Sequence, residues 1–206
     1  MRLNEFHKIQ VQLSGQLPGP VAQRKMAPVV RGSLNFEIPP QKAAVLILLF
    51  SHAGRLRTIL IKRTEYDGLH SGQISLPGGK FEPEDHHLSA TAVRETTEET
   101  GIHASEITLI GRLTTLEIPS SNFEVHPFVG YLAKKTLFNP DPKEVEYLIE
   151  AELDILMDDR IIKTKNINIG VNAIEIPYYD YKGDHIWGAT AMMLAEFFEV
   201  LKMAGL

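Results

Sequence analysis

The chain is 206 residues long, 44% apolar and 23% charged, with a formal net charge of −5 and no cysteine. That length and composition suit one soluble globular domain with embellishments and argue against disorder over most of it. The absent cysteines exclude disulfides, thiolate metal sites and thiol nucleophiles, and the acidic balance argues against a large basic surface for nucleic acid. The longest apolar run, Ala43 to Phe50, falls far short of the about 20 residues that cross a bilayer. The first residues hold no secretory h-region, so a cytoplasmic protein with no membrane partner is expected.

Leu3, Phe6, Ile9 and Leu13 recur at helical spacing and predict a short amphipathic helix that ends before Pro18-Gly19-Pro20. From there to Pro39-Pro40 the chain is proline-rich and aperiodic. Residues 1–41 are therefore expected to be a helix and arm packed on the same domain, and 42–206 the domain itself. Ala43 to Phe50 predicts a buried central strand and Leu56 to Lys62 a second. Arg63 to Gln73 is polar and glycine-punctuated, a surface loop of the kind that carries specificity. Ile74 to Leu76 is a short strand running into Pro77-Gly78-Gly79, where glycine lets the backbone come close to a ligand.

A helix follows, with Asp85 or Ser89 as its cap and Gly101 as its end. Small residues Ser89, Val93, Thr96 and Thr100 form its expected packing face. Ile107 to Leu116 and Val125 to Ala133 predict strands, joined by a second candidate substrate loop at Glu117 to Asn122. Tyr147 to Leu153 predicts a strand, followed by a short helix from Asp154 to Asp158. Asn172 to Tyr181 and His185 to Trp187 predict a hairpin through Lys182-Gly183-Asp184. A helix from Ala189 to Met203, with Met193, Phe197, Val200 and Leu201 in its apolar stripe, closes the chain.

The chemistry concentrates in the helix before Gly101. Glu95, Glu98 and Glu99 stand at i, i+3 and i+4, so at about 100° per residue their carboxylates share one face. Like charges at that spacing destabilise an isolated helix by roughly 0.2–0.5 kcal/mol per pair. A cation on that face would offset the repulsion, and a hard divalent ion suits oxygen donors.

Gly79 through Ile102 resembles the signature of the Nudix hydrolases, Gly-x5-Glu-x7-Arg-Glu-U-x-Glu-Glu-x-Gly-U with U aliphatic. Arg94-Glu95-Thr96-Thr97-Glu98-Glu99-Thr100-Gly101-Ile102 departs from it only at Thr96. Arg94 stands one position further from Gly79 than in the signature, which leaves Glu82, Glu84 and Asp85 as alternatives for the early acidic residue. The lengthened box, the Leu76-Pro77-Gly78-Gly79 turn, and the segments Leu60 to Arg63 and Ser71 to Ile74 are similar to the coenzyme A pyrophosphatase branch. Leu17-Pro18-Gly19, Met26-Ala27-Pro28 and Ile186 to Ala191 also resemble it. His70 stands near where many members of that branch have arginine.

The resemblance implies a Nudix α/β/α sandwich with a mixed central β-sheet. The implied activity is Mg²⁺- or Mn²⁺-dependent hydrolysis of the diphosphate of coenzyme A or acyl-CoA to 4′-phosphopantetheine, free or acylated, and adenosine 3′,5′-bisphosphate. A diphosphate repels hydroxide and carboxylates alike, so such hydrolysis calls for divalent ions. Glu95 and Glu99 are the first candidate ligands; Glu98 is a further ligand or the general base, and Arg94 orients a carboxylate. Arg63, His70, Gly78 and Gly79 are the candidate substrate contacts. Late-chain Glu144 or Glu146, and the strand pair Glu124 and His126, are further candidates. A homodimer is expected at the family level. Two alternatives stand beside this reading: a Nudix enzyme acting on ADP-ribose, a dinucleotide or another nucleoside diphosphate derivative, and a non-catalytic nucleotide sensor. The sensor would need a degraded metal face, and all three glutamates are present.

Overall fold

Strand β1 (Gln41–His52) is the axis on which both cores are built. The computed structural model describes residues 3–28, 38–65, 71–169 and 172–206. β1 pairs antiparallel with β2 (Arg55–Arg63) at one end and with the short β4 (Gly78–Lys80) at the other. Its second edge runs parallel to β7 (Phe123–Leu132), which makes the sheet mixed. β3 (Ile74–Ser75) and β8 (Val145–Glu152) extend the sheet from β2; β5 (Ile107–Arg112) and β6 (Leu116–Ile118) extend it from β7.

The alternation of side chains along β1 divides the interior in two. Ala44, Leu46, Leu48 and Phe50 pack with Ala92 of α3 (Leu88–Thr100). Ala43, Ile47 and Leu49 join a larger core with Phe6, Ile9 and Leu13 of α1 (Leu3–Leu13) and with α5 (Gly188–Met203). A second sheet of β9 (Ile162–Ile169), β10 (Asn172–Tyr181) and β11 (Asp184–Trp187) adds Tyr179, Tyr181 and Ile186 to that core. Two one-turn helices, α2 (Pro20–Gln23) and α4 (Leu153–Leu156), complete the layers.

α2 is held by one buried carboxylate. Glu196 of α5 accepts hydrogen bonds from Gly19 N (3.1 Å), Gln23 Nε2 (2.8 Å), Thr114 N (3.3 Å) and Thr114 Oγ1 (2.7 Å). Gly19 N and the two Thr114 donors find their acceptor in it, and Gln23 Nε2 donates both to it and to the Thr114 carbonyl (3.0 Å), so Glu196 ties the chain after α1 to both α5 and the segment before β6.

Several elements differ from expectation. α3 is capped by His87, whose Nδ1 accepts from Ala90 N at 3.1 Å, not by Asp85 or Ser89. Asp85 is turned to Arg94 instead, and Ser89 Oγ pairs with His87 itself. The helix packs through Ala92, Thr96 and Thr100, with Ser89 and Val93 only half-buried. The expected strand from Ile107 to Leu116 is two strands. The register against β7 shifts between Leu109 and Gly111, where the missing side chain makes room for Leu13.

The loop expected at Glu117 to Asn122 is tighter than a loop: β6 runs to Ile118, and one turn through Pro119–Ser121 ends on Asn122 at φ 56°. Strand β9 has no counterpart in the sequence reading. None of its described side chains is buried, so it lacks the apolar run that announces β1. The hairpin β10–β11 turns through Lys182 and Gly183, both at positive φ (55° and 95°), which matches the twist of paired strands. His70 and the middle of the 18–40 arm lie outside the described residues.

Candidate active site

The candidate site forms where α3 crosses β4. Gly78 has φ +149°, and a side chain there would overlap the Ala44 carbonyl oxygen and Val45 Cα. At Gly79 a methyl would overlap the Glu95 carboxylate. The two glycines thus let β4 lie against β1 on one side and receive a glutamate on the other.

Glu99 is 1% exposed. Its Oε2 accepts from Gly78 N at 2.8 Å, and its Oε1 accepts from Arg63 Nη2 at 3.2 Å. Burial pushes its pKa up to about 7, with the Arg63 guanidinium and the Gly78 N–H opposing that rise. Burial raises Glu95 as well, against the pull of Arg94. The charge of Glu144 adds to both shifts, which sets it within electrostatic reach of the pair. Glu98, one turn before Ile102, is exposed.

Arg94 gathers these groups. Its Nε and Nη2 donate to Asp85 Oδ1 (3.0 Å) and Oδ2 (3.1 Å), a bidentate pair. Its Nη1 donates to Glu95 Oε1 (3.0 Å) and Glu98 Oε2 (3.1 Å), and Nη2 also reaches the Lys80 carbonyl at 3.2 Å. Asp85 further accepts from Glu82 N and Thr91 Oγ1. Its hydrogen bonds to Arg94 hold its carboxyl well below the usual carboxylate range.

Among Glu82, Glu84 and Asp85, only Asp85 is buried. It stands six residues after Gly79, where the signature has its early glutamate, so the extra residue falls between Asp85 and Arg94. Thr96 fits an aliphatic position because its hydroxyl is satisfied by its own helix, donating to Ala92 O at 2.6 Å.

The structure therefore brings together Arg63, Gly78, Gly79, Arg94, Glu95, Glu98 and Glu99. Lys62, on the opposite face of β2, instead donates to Gly72 O at 2.5 Å. Glu124 and His126 pair with each other at 2.7 Å on β7. The partnership of Arg63 with Glu99 spans 36 positions and left no local signal. That of Asp85 with Arg94 was hidden by its acidic neighbours.

Among the described residues no three acidic or histidine side chains already converge as an ion cage; the Arg94 guanidinium bridges Glu95 and Glu98, and that of Arg63 pairs with Glu99. The donor set nonetheless fits a hard divalent cation. It consists of carboxylate oxygens alone, two of them on residues whose burial disfavours their charge until a cation compensates it.

A family model described as the NUDIX domain matches residues 40–158. The chain belongs to the Nudix family. It is 38% identical over 181 residues to "Nudix hydrolase 15, mitochondrial" of Arabidopsis thaliana, an alignment covering 84% of this chain and 62% of that relative. To "Nudix hydrolase 22, chloroplastic" of the same plant it is 37% identical over 179 residues, covering 84% and 57%. The chain thus spans less than two thirds of the length of these two relatives. To "Uncharacterized Nudix hydrolase NudL" of Yersinia enterocolitica it is 33% identical over 162 residues, covering 78% of this chain and 81% of that one.

The fold matches the crystal structure of a Nudix hydrolase from M. smegmatis, RenU, with a TM-score of 0.52 and 16% identity, covering 81% of this chain and 86% of that one. The Nudix architecture, a mixed sheet between helical layers, is the one expected. Among the described residues no helix is long and apolar enough to cross a membrane.

Proposed function

We propose that this Nudix chain hydrolyses the diphosphate bond of coenzyme A or its thioesters, using Mg²⁺ or Mn²⁺ held by Glu95, Glu98 and Glu99. The observation that carries the reading is the buried carboxylate of Glu99 beside the half-buried one of Glu95, both set against the Gly78-Gly79 backbone, with Arg63 and Arg94 fixing their orientation.

A bound divalent ion supplies neutralisation of the diphosphate oxygens and polarisation of the attacking water. The chain's own groups do the rest. Glu98, the most exposed of the three, is placed to accept the proton of that water. Arg94 is a positioning residue, locked by Asp85 and aimed at Glu95 and Glu98. The side-chain-free backbone of Gly78 and Gly79 seats β4 against β1 and against the Glu95 carboxylate, which fixes the carboxylate face that the substrate's diphosphate would approach. Water adds to one phosphorus and the bridging oxygen leaves with the other, giving 4′-phosphopantetheine and adenosine 3′,5′-bisphosphate. The choice of coenzyme A rests on the Leu60 to Gly79 segment, whose Arg63 and Gly78 are part of the site. Incubation with coenzyme A and either ion, with product masses read by mass spectrometry, tests it. Cleavage of ADP-ribose or a dinucleotide in place of coenzyme A would shift the substrate while keeping the site.

A further inference from the structure

The second sheet carries a cluster that the proposed chemistry does not use. Tyr178 of β10 and Trp187 of β11 are directly opposed across the ladder. Lys165 of β9 reaches over both, its Nζ 5.1 Å from the Tyr178 ring centre and 5.4 Å from that of Trp187. His185 lies against Tyr178 with ring centres 4.4 Å apart and brings its Nδ1 to 3.4 Å from the same ammonium.

The neighbouring lysines are neutralised, Lys163 by Asp180 at 2.5 Å and Lys182 by Glu152 at 3.4 Å. Lys165 has no carboxylate partner among the described residues. Two aromatic faces hold its ammonium in place, and partial burial lowers its pKa. A held, partly dry cation without a counter-charge is a place for an anion. The sheet that carries the cluster adjoins the candidate site: β11 packs beside β3, which leads into Gly78-Gly79 and whose Ser75 hydroxyl accepts from Arg63 Nε at 3.3 Å.

We propose that Lys165, framed by Tyr178, His185 and Trp187, is an anion subsite for a phosphate monoester on the substrate's nucleotide, which in coenzyme A is the 3′-phosphate. Lys165 supplies the charge and His185 a ring N–H, while the two aromatic faces keep the ammonium in place. This rests on the diphosphate-hydrolase reading, but its test does not require turnover.

Isothermal titration of adenosine 3′,5′-bisphosphate and of adenosine 5′-monophosphate into the full chain compares two ligands that differ only in the 3′-phosphate. The wild type is expected to bind the bisphosphate about tenfold more tightly. Lys165→Gln is expected to erase the difference, and Lys165→Arg to retain most of it. Each variant is first checked for a wild-type-like melting curve; Lys165→Arg carries the comparison together with His185→Gln if Lys165→Gln does not fold, and His185→Gln is then expected to narrow the difference. Equal affinities in the wild type, or an undiminished preference in the neutral variants, would overturn the subsite. Failure to cleave coenzyme A would overturn the substrate reading and leave this comparison intact.

Discussion

Glu99 is a carboxylate kept where its charge is disfavoured, with its pKa pushed up to about 7 and a single guanidinium and one N–H in compensation. Glu99→Gln keeps the size of the side chain, so turnover is expected to fall at least about a hundredfold while the circular-dichroism spectrum and melting midpoint stay close to wild type. Wild-type-like turnover would mean that the metal-holding face lies elsewhere. Gly79→Ala addresses the same face from β4. Its methyl would occupy the place of the Glu95 carboxylate, so Glu95 must swing away, and activity is expected to drop with little change in stability; an equally active alanine variant would remove Glu95 from the account.

Asp85 gives the pH dependence. Its folded-state pKa lies below the ordinary 3.8, so its contribution is complete above that value and is lost as pH falls towards the folded pKa. Asp85→Asn is expected to destabilise the protein at neutral pH by about 3 kcal/mol, because it strips a partner from a largely buried ion pair. It should also flatten the acid limb of stability below pH 3.8, measured by urea unfolding across a pH series. A variant that loses stability in acid as steeply as the wild type would contradict this.

At the scale of elements, α3 shows what the sequence carried and what it did not. Its span and the shared face of Glu95, Glu98 and Glu99 were legible because a helix converts spacing into direction. Its cap was not, since several polar residues precede Leu88 and only the path of the chain shows that Asp85 is committed to Arg94 and His87 is left to cap. β1 was legible from its apolar run, whereas β9, with none of its described side chains buried, was not.

α2 depends on Glu196, a buried carboxylate of α5. Glu196→Ala leaves Gly19 N and the Thr114 donors without their acceptor, while Gln23 Nε2 keeps only the Thr114 carbonyl, and is expected to cost about 3 kcal/mol. Limited proteolysis should then cut first between residues 14 and 28. Unchanged protection there would show that α1 alone anchors the arm.

For the whole molecule, the family and the mixed sheet were expected from the resemblance of Gly79 to Ile102 to the Nudix signature, and the family match and the parallel pairing of β1 with β7 agree with it. The two regions to which we assign substrate choice, Leu60 to Gly79 and the second sheet, are far apart in the chain, and only their assembly brings β3 beside β11. The account requires that the two ends of one substrate meet these two regions.

The most direct measurement is incubation of the full chain with coenzyme A and Mg²⁺ or Mn²⁺, followed by mass analysis and compared with Glu99→Gln. The account predicts 4′-phosphopantetheine and adenosine 3′,5′-bisphosphate in equal amounts, with both absent when the metal is chelated. Intact coenzyme A alongside cleaved ADP-ribose or dinucleotide under the same conditions would contradict it.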